Sequence, residues 1–221
     1  MPIDQITHLE YTTNEWTKEP FIQMLEIIFS DETITNFIDI GANVGGVINA
    51  LHLLGHLKKI NKIVCFEPDI DNYNFLKNIC QNINTADNID ITCHNFGIYY
   101  GKNQGIVCGT GDGNIGGYFI QDDYVSYRDH PVVPFEDKVF NLDIIEKYIE
   151  FEIDVVKIDI EGSEMNVLEH SSIIKNSKFI ILEWHFNVDQ INSFILTHLP
   201  NFVIIYDGGN TNYLLKNKNR G

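Results

Sequence analysis

Short apolar runs that end in an acid or an amide, each followed by a segment of helical spacing, set the strongest constraint on this chain's fold. Asn36–Ile40 carries Asp39 near its end and runs into a glycine turn, after which Val47, Ala50, Leu51 and Leu54 form one apolar stripe. Lys62–Phe66 breaks at Glu67-Pro68 and gives way to a helical pattern over 71–82 with Tyr73, Leu76, Ile79 and Cys80. Ile89–Cys93, Val155–Ile160 and Phe179–Glu183 repeat the theme, with helices expected after Gly162 and over Gln190–Leu199. Strands separated by helices imply a mostly parallel sheet covered on both faces. Phe202–Tyr206, Gly208-Gly209-Asn210 and Thr211–Leu215 read as a closing antiparallel hairpin. Pro20 can open a helix at its first position, with Phe21, Leu25, Ile28 and Phe29 on one face. The expected fold is therefore α/β, Rossmann-like, in one domain over 1–221 with a helical lead-in over 1–35.

Between 96 and 137 the pattern changes. Short β-like pieces at Gly97–Tyr100, Gly105–Cys108 and Tyr118–Ile120 surround the glycine-rich "GTGDGNIGG", and a polar loop with Pro131 and Pro134 follows. Variable loops over a strand rim usually set specificity, so this region reads as an acceptor-binding insertion. Helix is expected to resume over Asn141–Ile149. Formal net charge is −16, which repels a polyanion and argues against nucleic acid as a partner. The basic residues Lys216, Lys218 and Arg220 read as a frayed end. There is no apolar run of membrane-spanning length and no secretory pattern at Met1-Pro2-Ile3-Asp4-Gln5, so the expectation is a cytoplasmic protein. Cys65, Cys80, Cys93 and Cys108 lack metal-finger spacing and read as reduced core cysteines.

On such a sheet, ligands bind at the carboxyl ends of the strands, where strand order reverses. Asp39, Glu67, Asn95, Asp159 and Glu183 should therefore share one rim. "FIDIGANVGG" (37–46) places an acid at a strand end before a Gly-x-x-x-Gly turn that opens a helix, and Asp39 can order the loop or accept from an ammonium group. "CFEPD" (65–69) puts Glu67 where an acid can accept both hydroxyls of a ribose. The glycine spacing lacks the close first pair of Gly-x-Gly-x-x-Gly, so a dinucleotide fits less well than S-adenosylmethionine, which has an amino-acid end and no phosphate.

"VVKIDIEGSEMNVLEH" (155–170) then gathers Lys157, Asp159, Glu161 and Glu164 at one strand exit. Methyl transfer to an alcohol needs alignment and a group to take the proton, and Asp159, Glu161 or His185 can serve. Asp159, Glu161 and Glu183 can also hold a divalent metal, though no acidic pair at fixed spacing demands one. Lys157 pairs with one of the acids in this reading. Glu164, in the first turn of a helix, is explained by the helix dipole. His8, His52, His56, His130 and His198 read as surface or packing residues, and Trp16 and Trp184 as partly buried aromatics.

"DIGANVG", "FEPD", "NFGI", "KIDIEGSEMNVLEH" and "IILEWH" resemble the FkbM family of S-adenosylmethionine-dependent methyltransferases, from about Asp39 to about His185; "VFNLDIIEKY" is similar to the helix preceding that segment in the family. The resemblance implies that Asp39, Gly41, Ala42, Asn43 and Gly45 wrap the methionine end of the cofactor. It implies that Glu67 holds the ribose, with Pro68, Asp69, Asn95 and Phe96 about the adenine. Asp159 and Glu161 lie, on this basis, by the methyl group and the acceptor. It further implies O-methylation of a sugar, glycan or other small molecule. A nicotinamide-dependent oxidoreductase and a non-catalytic subunit with the same fold are the alternatives.

Overall fold

The structure is a computed structural model that describes residues 5–87, 89–99, 106–109, 118–121, 133–135, 139–141, 149–209 and 211–220. Helix α1 (Gln5–Trp16) and helix α2 (Phe21–Phe29) precede strand β1 (Asn36–Ile40). Then come α3 (Gly46–Leu53), β2 (Lys62–Phe66), α4 (Ile70–Asp87) and β3 (Asp90–His94). Short strands follow: β4 (Gly97–Tyr99), β5 (Ile106–Gly109), β6 (Tyr118–Gln121), β7 (Val133–Phe135) and β8 (Val139–Asn141). The chain continues through β9 (Val155–Ile158), α5 (Glu164–His170), α6 (Ser172–Lys175), β10 (Phe179–Glu183), α7 (Ile191–His198), β11 (Phe202–Asp207) and β12 (Asn212–Asn217). Seven strands form the main sheet in the order β11-β12-β10-β9-β1-β2-β3. β12 runs antiparallel to both neighbours, and the other four pairings, in the row from β10 to β3, are parallel. Strand order reverses between β1 and β9, which sets the ligand crevice at their carboxyl ends.

Side chains alternate across this sheet, so each strand feeds two cores. Phe37, Ile63, Ile91, Val155 and Ile181 face a cluster that includes Trp16, Phe21, Leu25 and Leu51 of α1 to α3. Ile38, Val64, Val156, Ile180 and Leu215 face a second cluster with Val167, Leu168 and Phe194 of α5 and α7. Asp154 ties the lower edge together: its Oδ2 accepts from the Thr35 and Asn36 N–H groups at 2.9 and 3.0 Å. A buried carboxylate with several donors locks two strand starts in register.

The helical lead-in packs on α3, close enough that a Cβ on Gly46 would meet Thr12 Oγ1 at 2.2 Å. Two expectations change. The C-terminal residues are docked rather than frayed: Lys216 lies in β12, and Arg220 donates to the Ile153 and Asn176 carbonyls at 2.8 and 2.7 Å. An arginine fork with carbonyls in reach holds an end that composition alone reads as loose. The helix expected over Asn141–Ile149 begins on a residue that instead closes β8, and 142–148 lie outside the described residues. Most of the glycine-rich loop and of the 121–137 segment lies outside them too; β5, β6 and β7 form a three-stranded antiparallel sheet there. Among the described residues no helix is long and apolar enough to cross a membrane.

Candidate functional site

The turn after β1 is built for close approach. The Gly41 and Ala42 N–H groups both donate to the Phe66 carbonyl at 3.0 Å, folding the loop over the end of β2. Gly41 has φ +79°, and a Cβ there would lie 1.8 Å from the Asp159 carbonyl oxygen, so only glycine fits. Asn43, at φ +50°, and Gly45, at φ +92°, complete the turn into α3. Asn43 and Asp69 N–H donate to opposite oxygens of Glu67, at 2.8 and 2.9 Å. Glu67 is buried, and that burial, against the two backbone donors, pushes its carboxyl up to about 8. Its carboxyl lines a pocket with Gly41, Asn43, Pro68, Asn72, Asp159 and Glu161.

Register explains the charges. Asp39 and Lys157 are cross-strand partners on parallel neighbours, so their side chains leave the sheet side by side. Lys157 is 4% exposed and Asp39 is fully buried. Lys157 Nζ lies 3.3 Å from Asp39 Oδ1, 3.3 Å from Asp159 Oδ2 and 2.6 Å from the Gly41 carbonyl, to which it donates. Burial pulls the lysine down, and the Asp39 and Asp159 carboxylates outweigh it, so it stays charged. Burial raises Asp39, with Lys157 opposing. Although ion-paired, neither Asp39 oxygen has a hydrogen-bond donor among the described residues. A buried acceptor short of donors, beneath a glycine cradle, fits a ligand that brings an ammonium or amide donor, as the amino-acid end of S-adenosylmethionine does.

Beyond β9 the chain turns at Glu161 (φ +51°) and Gly162 (φ +101°). Glu164, fully buried at the start of α5, accepts from the Ile160 and Gly162 N–H groups at 3.2 and 3.1 Å and lies 2.8 Å from His185 Nδ1. It is a strut that fixes this turn and the imidazole together. His185 Nε2 faces Glu161 Oε2 at 3.5 Å and Glu183 Oε1 at 3.7 Å. Burial lowers His185, but the Glu164 hydrogen bond and the surrounding acids overcome it and push the imidazole up to about 9. Glu183 is pushed up to about 7 by burial and by the Asp159 charge, against His185 and Lys157. At neutral pH, then, His185 holds its proton and Glu183 is the group poised to take one.

Of the residues picked from the sequence, Asp39, Gly41, Asn43, Glu67, Asp159, Glu161 and His185 are brought to the β1 and β9 exits. Pro68 lines the same pocket. Ala42 and Phe96 are buried, the latter packed 5.2 Å from Phe66, and Gly97 and Ile98 line the pocket where Phe96 was expected. Asn95 Nδ2 donates to the Glu67 and Pro68 carbonyls at 3.0 and 2.9 Å, bracing the turn. Asp69 Oδ1 accepts from Asp71 and Asn72 N–H at the start of α4, a helix-capping contact. Gly45 faces Leu76 of α4. Sequence reading passed over Glu183 as a base; its signal was the acid closing β10 next to His185. Trp184 is fully buried and donates to the Asn187 carbonyl at 3.1 Å. Cys65, Cys80 and Cys93 meet because Cys65 and Cys93 are register partners and Cys80 of α4 covers them. The neighbouring thiols, then burial, keep Cys65 protonated.

A family model described as the methyltransferase FkbM domain matches residues 39–211. The chain belongs to the FkbM methyltransferase family. Several solved structures are similar to the chain. The FkbM methyltransferase of Methylobacillus flagellatus is 18% identical over 83% of this chain and 44% of that one, with a TM-score of 0.49. This chain thus spans less than half of that protein. M. capricolum TrmK, solved with S-adenosylhomocysteine, is 13% identical over 90% of this chain and 68% of that one, with a TM-score of 0.49. An rRNA methylase of Streptococcus thermophilus is 7% identical over 90% and 96%, with a TM-score of 0.50. No curated protein sequence matches the chain significantly.

Proposed function

We propose that this chain transfers a methyl group from S-adenosylmethionine to a hydroxyl of a sugar, glycan or other small molecule. The observation that carries the reading is the convergence of Asp159, Glu161 and His185, with Glu183 beside them, one step past the glycine cradle. Asp39 and the loop 41–45 take the amino-acid end, and the Glu67 carboxyl meets the ribose hydroxyls. When bound, S-adenosylmethionine supplies an electrophilic methyl carbon, and the carbon–sulfur electron pair returns to sulfur as the acceptor oxygen bonds to that carbon. Glu183 takes the acceptor's proton, since its affinity for one lies near neutrality. His185, fixed by Glu164, presents Nε2 to the acceptor side and orients the acceptor. The remaining work is alignment of the two reacting atoms.

The rRNA methylase in the comparison is similar in fold alone, and a net charge of −16 does not favour a polyanionic acceptor. Calorimetric titration of S-adenosylhomocysteine into wild type and Glu67→Ala tests the cofactor, with binding in wild type and at least a tenfold loss in the variant expected. Transfer of labelled methyl to a panel of sugars and polyols, against bulk RNA, tests the acceptor. Label in RNA and in no hydroxyl compound would sink the reading.

A further inference from the structure

The cluster at the exit of β9 has the make-up of a metal centre as well as of an acid–base site. Asp159, Glu161 and His185 each present a ligand atom, and these atoms lie within 4.8 Å of one another. Ligands on one small divalent ion sit about 2.0–2.2 Å from it, so neighbouring ones are about 3–3.5 Å apart, and shifts of roughly half an ångström per atom would close this set around an ion. Three further features separate it from an ordinary patch of surface acids. The His185 side chain is 9% exposed, and its Nε2 has ion-pair neighbours but no hydrogen bond among the described residues. Its other nitrogen is held at 2.8 Å by Glu164, which is fully buried and anchored by backbone N–H groups. That carboxylate–imidazole pair is the arrangement that orients metal-binding histidines and fixes which nitrogen faces the ion. Finally, Glu161 sits in the left-handed region at φ +51°, and its carboxylate lies 3.5 Å from the imidazole.

We propose that Asp159, Glu161 and His185 Nε2 bind one divalent transition-metal ion of the Mn²⁺ class, with Glu164 as the orienting residue behind His185. Two carboxylates with one imidazole favour such an ion over Mg²⁺ or Ca²⁺, which prefer all-oxygen sets. The ion replaces the proton on Nε2. Three protein ligands leave coordination positions open, and an acceptor hydroxyl in one of them loses its proton more readily, with Glu183 alongside to receive it. The proposal rests on the reading of this rim as an O-methyl-transfer site and differs from the set of three acids expected from sequence, because His185 replaces Glu183.

The test uses the whole chain stripped with a chelator. Titration with Mn²⁺, read by electron paramagnetic resonance, should show one site that is lost or weakened at least tenfold in both Glu161→Gln and His185→Gln. Glu169→Gln, on the exposed side of α5, should bind Mn²⁺ as wild type does. Zn²⁺ should compete for the site, and Mg²⁺ at the same concentration should not. Wild-type crystals soaked in Mn²⁺ decide the matter whether or not a variant folds. An anomalous peak within about 2.5 Å of His185 Nε2 and the two carboxylates supports the proposal, and a peak elsewhere or none overturns it. S-adenosylhomocysteine binding by the stripped wild type is measured in parallel. If it binds and Mn²⁺ does not, the metal site alone fails; if neither binds, the methyltransferase reading fails with it.

Discussion

Replacing Lys157 by methionine would remove the one cation that both acids of the β1–β9 crossing share. Methionine fills a similar volume, so the change isolates charge from packing. It leaves Asp39 fully buried with no counter-charge and no hydrogen-bond donor, and it frees the Gly41 carbonyl. Breaking a buried pair from one side costs about 3–5 kcal/mol, because the remaining charge stays desolvated. Asp39→Asn is milder: Lys157 keeps Asp159 at 3.3 Å and the Gly41 carbonyl at 2.6 Å, so a loss of about 1–3 kcal/mol is expected. In the double variant no buried charge is stranded, and its cost should fall short of the sum by at least about 1.5 kcal/mol. Urea denaturation at pH 7 measures all three. The pH dependence supplies a second check with a definite sign. Burial raises the Asp39 carboxyl in the folded state, and losing Lys157 raises it further, so the folded variant holds a proton that the unfolded chain releases. Its deficit relative to wild type is therefore largest at neutral pH and shrinks as the pH falls toward about 4, the ordinary carboxylate range. A Lys157→Met cost below about 1 kcal/mol at pH 7, or strict additivity with Asp39→Asn, would refute the argument.

Two further outcomes follow from the cradle. Gly41→Ala should abolish S-adenosylhomocysteine binding while retaining native circular dichroism, because its Cβ must displace the Asp159 carbonyl; Gly55→Ala, at φ +75° with nothing within 4 Å, should cost about 1–2 kcal/mol and leave binding intact. Equal binding by both variants would remove the close-approach argument. Glu67 gives a pH signature of its own: its carboxyl is raised in the folded state to about 8, so the folded chain keeps a proton that the unfolded chain loses from about 4.5 upward. Wild type should lose stability relative to Glu67→Gln across that window and not beyond it, and a difference that is flat from pH 5 to 8 would show Glu67 ionised in the free protein.

The strands and their order of use were legible because buried parallel strands are short and apolar, and each ends where the chain meets the rim. Phe37–Ile40, Ile63–Phe66 and Val155–Ile158 state this directly. Helix α1 was less legible: its apolar face is weak in sequence, and His8, Thr13 and Trp16 are buried by tertiary packing, with Thr12 set against Gly46 of α3 and Trp16 stacked on Phe21. The fate of Arg220 was invisible for a related reason, since its partners are main-chain carbonyls of residues far away in the chain. At the site, residue types announced which groups had acid–base chemistry, and order along the strands announced that they would meet. Their division of labour was not readable. His185 was one of three candidate bases by its ordinary titration range, but that range moves once Glu164 is bound to it, and nothing in the spacing between 164 and 185 declares that contact. Asp69 and Asn95 illustrate the same limit, since each has a side chain suited to a ligand and each instead braces backbone.

The cradle and the acidic cluster meet at one point, and this bears on how the two halves of the proposed site communicate. The space that a side chain on residue 41 would need is occupied by the backbone of Asp159, while Lys157 grips the Gly41 carbonyl and the Asp159 carboxylate together. Neither the loop nor the β9 exit can move without the other following, because packed contacts of this kind shift in steps and do not deform smoothly. A ligand that settles against residues 41–45 thereby holds Asp159, and an occupant of the Asp159–Glu161–His185 cluster holds the loop in return. The coupling must be equal in both directions. In the proposed methyl transfer, a cofactor with a cationic sulfonium and its neutral product then place different demands on these charges. The acid-rich rim favours the charged form, and once the methyl group has left, that attraction is gone.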